Sequence, residues 1–139
     1  MNCALPYAMK YKAFRVGPLP ADPINRALGL ELEDGDVWVS SACHRHMAED
    51  HPDDYPYIKA NIIDLIREPT WVGQDPKHGR NFYLIRRVAV EEGAAAVLIA
   101  IGLEMTEYGT YSVRTAYRIK QEDVDNRILR GSTRRILPQ

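Results

Sequence analysis

Three of the chain's four histidines, His44, His46 and His51, fall within eight residues, beside Cys43. Imidazole is the side chain that gives and takes protons near neutral pH, so a dense histidine group is the first place to look for acid–base chemistry. On a helix, positions 46 and 50 share a face and position 51 lies just past the last turn, so His46 and His51 can converge on one cleft. His44 points about 200° away from His46. The same residues also suit helix capping and a solvated surface. Cys43, His46 and Asp50 can be imagined around one zinc ion, but CxxC, HExxH and a paired HxH with a distant third ligand are all missing from the sequence, so no metal and no cofactor is expected.

The second group lies in TYSVRTAYRI at 110–119. Strand alternation puts Tyr111, Val113, Thr115, Tyr117 and Ile119 on one face, and Thr110, Ser112, Arg114, Ala116 and Arg118 on the other. Thr115 and Tyr117 are then the polar members of an apolar face, able to hold a phosphate oxygen at the edge of a core. β-propensity alone explains the same residue types. Arg114 and Thr115 should point to opposite faces, and they can serve one cleft only if the strand bulges between them. A third, basic set (Arg127, Arg130, Arg134 and Arg135) suits backbone phosphates or a solvated helix equally well. P-loop, GxGxxG and GxSxG patterns are absent, which removes local support for nucleotide hydrolysis, dinucleotide redox and serine hydrolysis.

The elements that must position these groups read as follows. Residues 1–35 are expected to be irregular, broken by Pro6, Gly17, Pro18, Pro20 and Pro23, although Pro23 can open a short helix stopped by Gly29. Residues 36–139 are expected to form one α+β domain. DVWVS at 36–40 is a short strand. Ser40 or Ser41 caps a helix running to Asp50, which His51-Pro52 ends. A second helix runs from Pro56 to Arg67, with Ile58, Ile62, Ile63, Leu65 and Ile66 as its apolar stripe. Strands follow at 70–72, 81–90, 94–105 and 110–119, with turns at 74–79, 91–93 and 106–109. Gln121 to Arg130 is a basic helix stopped by Gly131. The expected fold is therefore N-terminal helices packed on a four-stranded antiparallel meander, closed by a short C-terminal helix.

Bulk properties narrow the class. The 139 residues suit a single core, and 45% hydrophobic with 27% charged residues is an ordinary globular balance. The longest apolar run, 94–101, is of strand length, and the N-terminus lacks a basic region followed by an apolar stretch. A cytoplasmic protein without membrane association is expected. Cys3 and Cys43 do not make a disulfide framework. The net charge of −1 hides an asymmetry: residues 1–69 carry a balance of −4 and residues 70–139 a balance of +3. A basic half can attract a polyanion.

The order of HRHMAEDHP at 44–52, YIKANIIDLIREPTWV at 57–72 and YSVRTAYRIK at 111–120 resembles the phage-type branch of the barnase–EndoU–colicin–RelE nuclease superfamily, over roughly residues 36–131. The resemblance implies a metal-independent endoribonuclease of toxin or phage type that leaves a 2′,3′-cyclic phosphate. It implies catalytic roles for His46, His51, Thr115 and Tyr117, and substrate contacts from Arg114, Arg118 and Arg130. The implied partners are RNA, either tRNA or another structured RNA, and a cognate inhibitor protein. The chain departs from the pattern at Glu49 and Asp50, where a basic residue is common between the two histidines. That departure favours an alternative, an inactive nucleic-acid- or protein-binding module on the same scaffold.

Overall fold

A computed structural model describes residues 10–74, 79–88 and 94–136, and the statements below concern those residues. The turns expected around 75–78 and 91–93, the strand end at 89–90 and Cys3 lie outside them. The elements in chain order are β1 (Phe14–Pro18), α1 (Ala21–Leu28), β2 (Asp36–Val39), α2 (Ser41–Asp50), α3 (Tyr55–Arg67), β3 (Trp71–Gly73), β4 (Asn81–Arg87), β5 (Ala94–Gly102), β6 (Tyr111–Lys120), α4 (Gln121–Leu129) and β7 (Thr133–Arg135).

The strands form one seven-stranded mixed sheet in the order β1-β2-β6-β5-β4-β3-β7. This corrects the four-stranded antiparallel meander with helices leading it. β3 to β6 do lie side by side and antiparallel. The sheet continues past both ends of that set, and β2 joins β6 in parallel, through Val37↔Tyr111 and Trp38↔Ser112. The segment expected to be irregular supplies β1 and α1, whose residues Val16, Leu19 and Ile24 are buried in the core. α1 ends where expected, at Gly29 in the left-handed region, which closes the last turn onto Asn25.

Two apolar clusters sit on opposite faces of the sheet. The larger joins α1, α2 and α3 to the face bearing Val37, Leu84, Val97, Ile99, Ile101, Tyr111, Val113 and Ala116. α3 contributes Ile58, Ile62, Leu65 and Ile66, whereas Ile63 is 59% exposed and does not belong to the stripe. The smaller cluster places Val124 of α4 on Trp71, Tyr83, Ile85, Ala96, Leu98 and Ile119. β5 is buried from both sides, which is why its sequence is apolar without alternation.

A bulge in β6 matters most for the chemistry. Its pairing with β5 runs Leu98↔Tyr117, Ile99↔Ala116 and Ala100↔Thr115, then shifts to Ile101↔Val113, leaving Arg114 as the extra residue. An extra residue inverts the alternation on either side of it. Tyr111 and Val113 therefore face the first cluster, as Ala116 does, while Thr115, Tyr117 and Ile119 face the second. This overturns the single face expected to carry Tyr111 through Ile119.

Candidate active site on the edge of β6

α2 begins at Ser40, whose hydroxyl accepts from the Cys43 amide at 3.1 Å and caps the helix. Cys43 and Met47 are buried against the sheet, so α2 lies along β6 beyond the point where the four-residue β2 ends. The next residue of its helical face towards the strand, His46, projects over the sheet edge. His46 Nε2 lies 3.5 Å from Thr115 Oγ1, at the outer limit of a hydrogen bond. Its Nδ1 is 2.6 Å from Asp50 Oδ2. A carboxylate only accepts, so Nδ1–H donates to Asp50, and in the neutral imidazole the Nε2 lone pair then faces Thr115.

His51 terminates α2. Its carbonyl accepts from the amides of Asp54 and Tyr55, at 3.1 and 2.9 Å, which fixes the corner into α3. The ring of His51 meets that of His46 edge-on at 5.2 Å between centroids. It stacks on Tyr117 at 6.1 Å. His46, His51, Thr115 and Tyr117 thus lie together on a half-exposed surface.

The other residues singled out in the sequence are placed differently. Arg114 and Thr115 share a face because of the bulge: the guanidinium lies against Gly102, where an added Cβ would stand 3.1 Å from Arg114 Nε. Gly102 follows Ala100 by two residues and so shares the face of Thr115. Arg118 faces the opposite way, towards α3. Its Nε donates to Asp54 Oδ1 at 2.8 Å and its guanidinium lies 4.2 Å from the Tyr57 ring centre. Asp54 raises its pKa above the ordinary arginine value. A guanidinium so engaged ties β6 to the start of α3 and is not presented to the histidines. Arg130 stands exposed at the end of α4, and no contact joins it to the histidines among the described residues.

His44 turns away from His46. It bridges the Lys12 carbonyl, 2.9 Å from Nδ1, and the Tyr55 hydroxyl, 2.5 Å from Nε2, among the rings of Tyr11 and Phe14. It staples the approach to β1 onto α3. Cys43 points inward, with Sγ 3.7 Å from the Arg114 carbonyl, and burial pushes its thiol up to about 11. It is therefore separated from His46 and Asp50, and among the described residues no three His, Cys, Asp or Glu side chains gather to hold a metal.

The residue sequence reasoning undervalued is Asp50. The sequence puts it on the face of His46, as a zinc-ligand candidate and as a departure from a basic pattern; the structure uses that spacing of four to hold the imidazole instead. A cleft of about 730 Å³ lies elsewhere, between the β1–α1 loop and residues 67–70, 135 and 136. Its lining contains no histidine or cysteine and its Arg67 is engaged by Asp64 at 2.8 Å, whereas His46 and His51 lie beside Thr115 and Tyr117 of β6. No family model, no curated protein and no solved structure matches the chain. Among the described residues no helix is long and apolar enough to cross a membrane.

Proposed function

We propose that the chain is a metal-independent endoribonuclease whose site is the His46–His51–Thr115–Tyr117 group. The observation that carries this reading is the relay Asp50–His46–Thr115, in which a carboxylate sets the imidazole tautomer and leaves a basic nitrogen facing a hydroxyl on the strand. In the proposed reaction His46 Nε2 takes the proton of a ribose 2′-OH. The 2′-oxygen then bonds to phosphorus, and the bond to the 5′-oxygen breaks. His51, 5.2 Å from His46 ring to ring, gives the departing 5′-oxygen its proton. Thr115 and Tyr117 donate to the phosphoryl oxygens, and Arg114, aligned with them by the bulge, balances the added charge. The products are a 2′,3′-cyclic phosphate and a 5′-OH. Asp50 orients His46 and does not contact substrate.

An enzyme of this kind acts where RNA is, in the cytoplasm, and a toxin- or phage-type member calls for an inhibitor protein covering the same face. The test is cleavage of structured RNA, tRNA included, in excess EDTA. Cleavage with cyclic-phosphate ends, slowed about 10²- to 10⁴-fold in His46→Ala, supports the proposal. Salt-sensitive binding without cleavage assigns the chain instead to a binding module. Cleavage that depends on an added metal rules out the mechanism.

A further inference from the structure

The face of the sheet that carries Thr115 is covered by α4 at one end only. At the other end the register places Trp38 beside Ser112 and Asn81 beside Gly102. Carrying the Ile101↔Val113 pair one step further puts Gly102 beside Ser112. One row thus crosses β2, β6, β5 and β4. Val37 and Val39 are fully buried on the first face, so Trp38 projects from the second, where it is 39% exposed. On the β6 side the next residues in the row, Ser112 and Gly102, are among the smallest, while on the β1 side Trp38 is paired with Arg15, whose guanidinium is turned to Asp36. On its β6 side the indole therefore stands over a low floor. Tryptophan is highly buried on average, and this indole is left partly open above a trough.

Arg114 closes the trough. Its guanidinium lies over Gly102, it is exposed, and among the described residues no carboxylate contacts it. Asp36, two residues before Trp38 on the same face, is held by Arg15 through two bonds of 2.8 Å, and that guanidinium keeps its carboxyl below the ordinary range. The trough therefore offers a flat aromatic surface and an uncompensated cation, the pairing that binds single-stranded nucleic acid.

We infer that this trough is a nucleobase subsite: a base of single-stranded RNA flanking the scissile phosphate stacks on Trp38, while Arg114, between the indole and Thr115, pairs with that phosphate. The inference rests on the nuclease reading for the kind of strand bound. With Arg114 bulged out, Thr115 and Ser112 stand at the rungs of Ala100 and Gly102, two steps or about 7 Å apart along the strand, so the stacked base belongs to a neighbouring nucleotide and not to the one cut. A base inside a duplex has no free face to give, so the subsite selects single strands and loops.

The test is binding, independent of turnover. The full chain carrying His46→Ala is titrated with a short single-stranded RNA and with the matching duplex, in EDTA at fixed low salt. Trp38→Ala, Trp38→Phe and Arg114→Gln are compared in the same background, with thermal unfolding confirming that each folds. Single-stranded RNA is expected to bind about 5- to 100-fold more weakly to Trp38→Ala, with Trp38→Phe losing less. Arg114→Gln should reduce the salt slope by about 1. Unchanged binding by both Trp38 variants, equal affinity for duplex and single strand, or no binding by the parent overturns the subsite. Trp38-dependent binding in a chain whose native form does not cleave RNA would remove the nuclease reading and keep the subsite. Cleavage by the native form with binding indifferent to Trp38 would do the reverse.

Discussion

His46 carries two contacts of different kinds, and the difference assigns its work. Asp50 holds one nitrogen at 2.6 Å, while Thr115 faces the other at 3.5 Å, loosely enough to exchange partners. Replacing Asp50 by Ala frees the tautomer without removing the base. It should lower kcat by at least about 10-fold with little change in KM, a split that steady-state kinetics on RNA would read. Cys43 makes a contrasting residue-level prediction. With its thiol pushed up to about 11 by burial, it should resist alkylation at pH 8 in the native state and react on unfolding, measured in a Cys3→Ser background. The sign for stability follows: the unfolded thiol ionises first, so Cys43 stabilises the fold below about pH 9 and that contribution is lost as pH rises towards 11. At this scale the sequence was informative. Histidine spacing and the T-x-Y pair named groups that the structure brings together, and the shared face of positions 46 and 50 was legible too; which nitrogen Asp50 holds is a matter of geometry.

At the scale of elements, the bulge at Arg114 decides which side chains meet. One extra residue leaves no compositional trace, so the alternation of 110–119 read as continuous and put Thr115 on the wrong side of Val113. The same shift sends Arg118 to the α3 side, where Asp54 and Tyr57 hold it. Arg118→Met keeps the length of the side chain and removes the charge-assisted bond. Both partners are partly solvated, at 24% and 22% side-chain exposure, so the expected loss is about 1 kcal/mol and Tm should fall by about 3–5 °C in a thermal melt. A mainly catalytic role for Arg118 would instead leave Tm unchanged and slow cleavage.

The whole molecule is a sheet whose outer strands come from distant parts of the chain. Elements were legible where the pattern is long, as in the helical period of α3 and the continuous apolar run of β5. The parallel contact of β2 with β6 rests on a four-residue strand paired across more than seventy positions, which local pattern cannot reveal. Of the N-terminal prolines, Pro23 sits in the first turn of α1, the short helix expected to end at Gly29, whereas β1, which ends at Pro18, was not foreseen. If 14–28 is integral to the fold, Ile24→Ala should cost about 2–5 kcal/mol and shift the single unfolding transition as a whole; a separate early transition would show that the segment is an appendage.

The central claim is that an early helix and a late strand, brought together only by the assembled sheet, act on one phosphate. A double-mutant cycle on kcat/KM for RNA cleavage in EDTA, using His46→Ala, Thr115→Ala and the pair, measures that directly. Strong non-additivity, with the double variant hardly slower than His46→Ala alone, is the predicted result. Strictly additive losses, or cleavage indifferent to both substitutions, would contradict it.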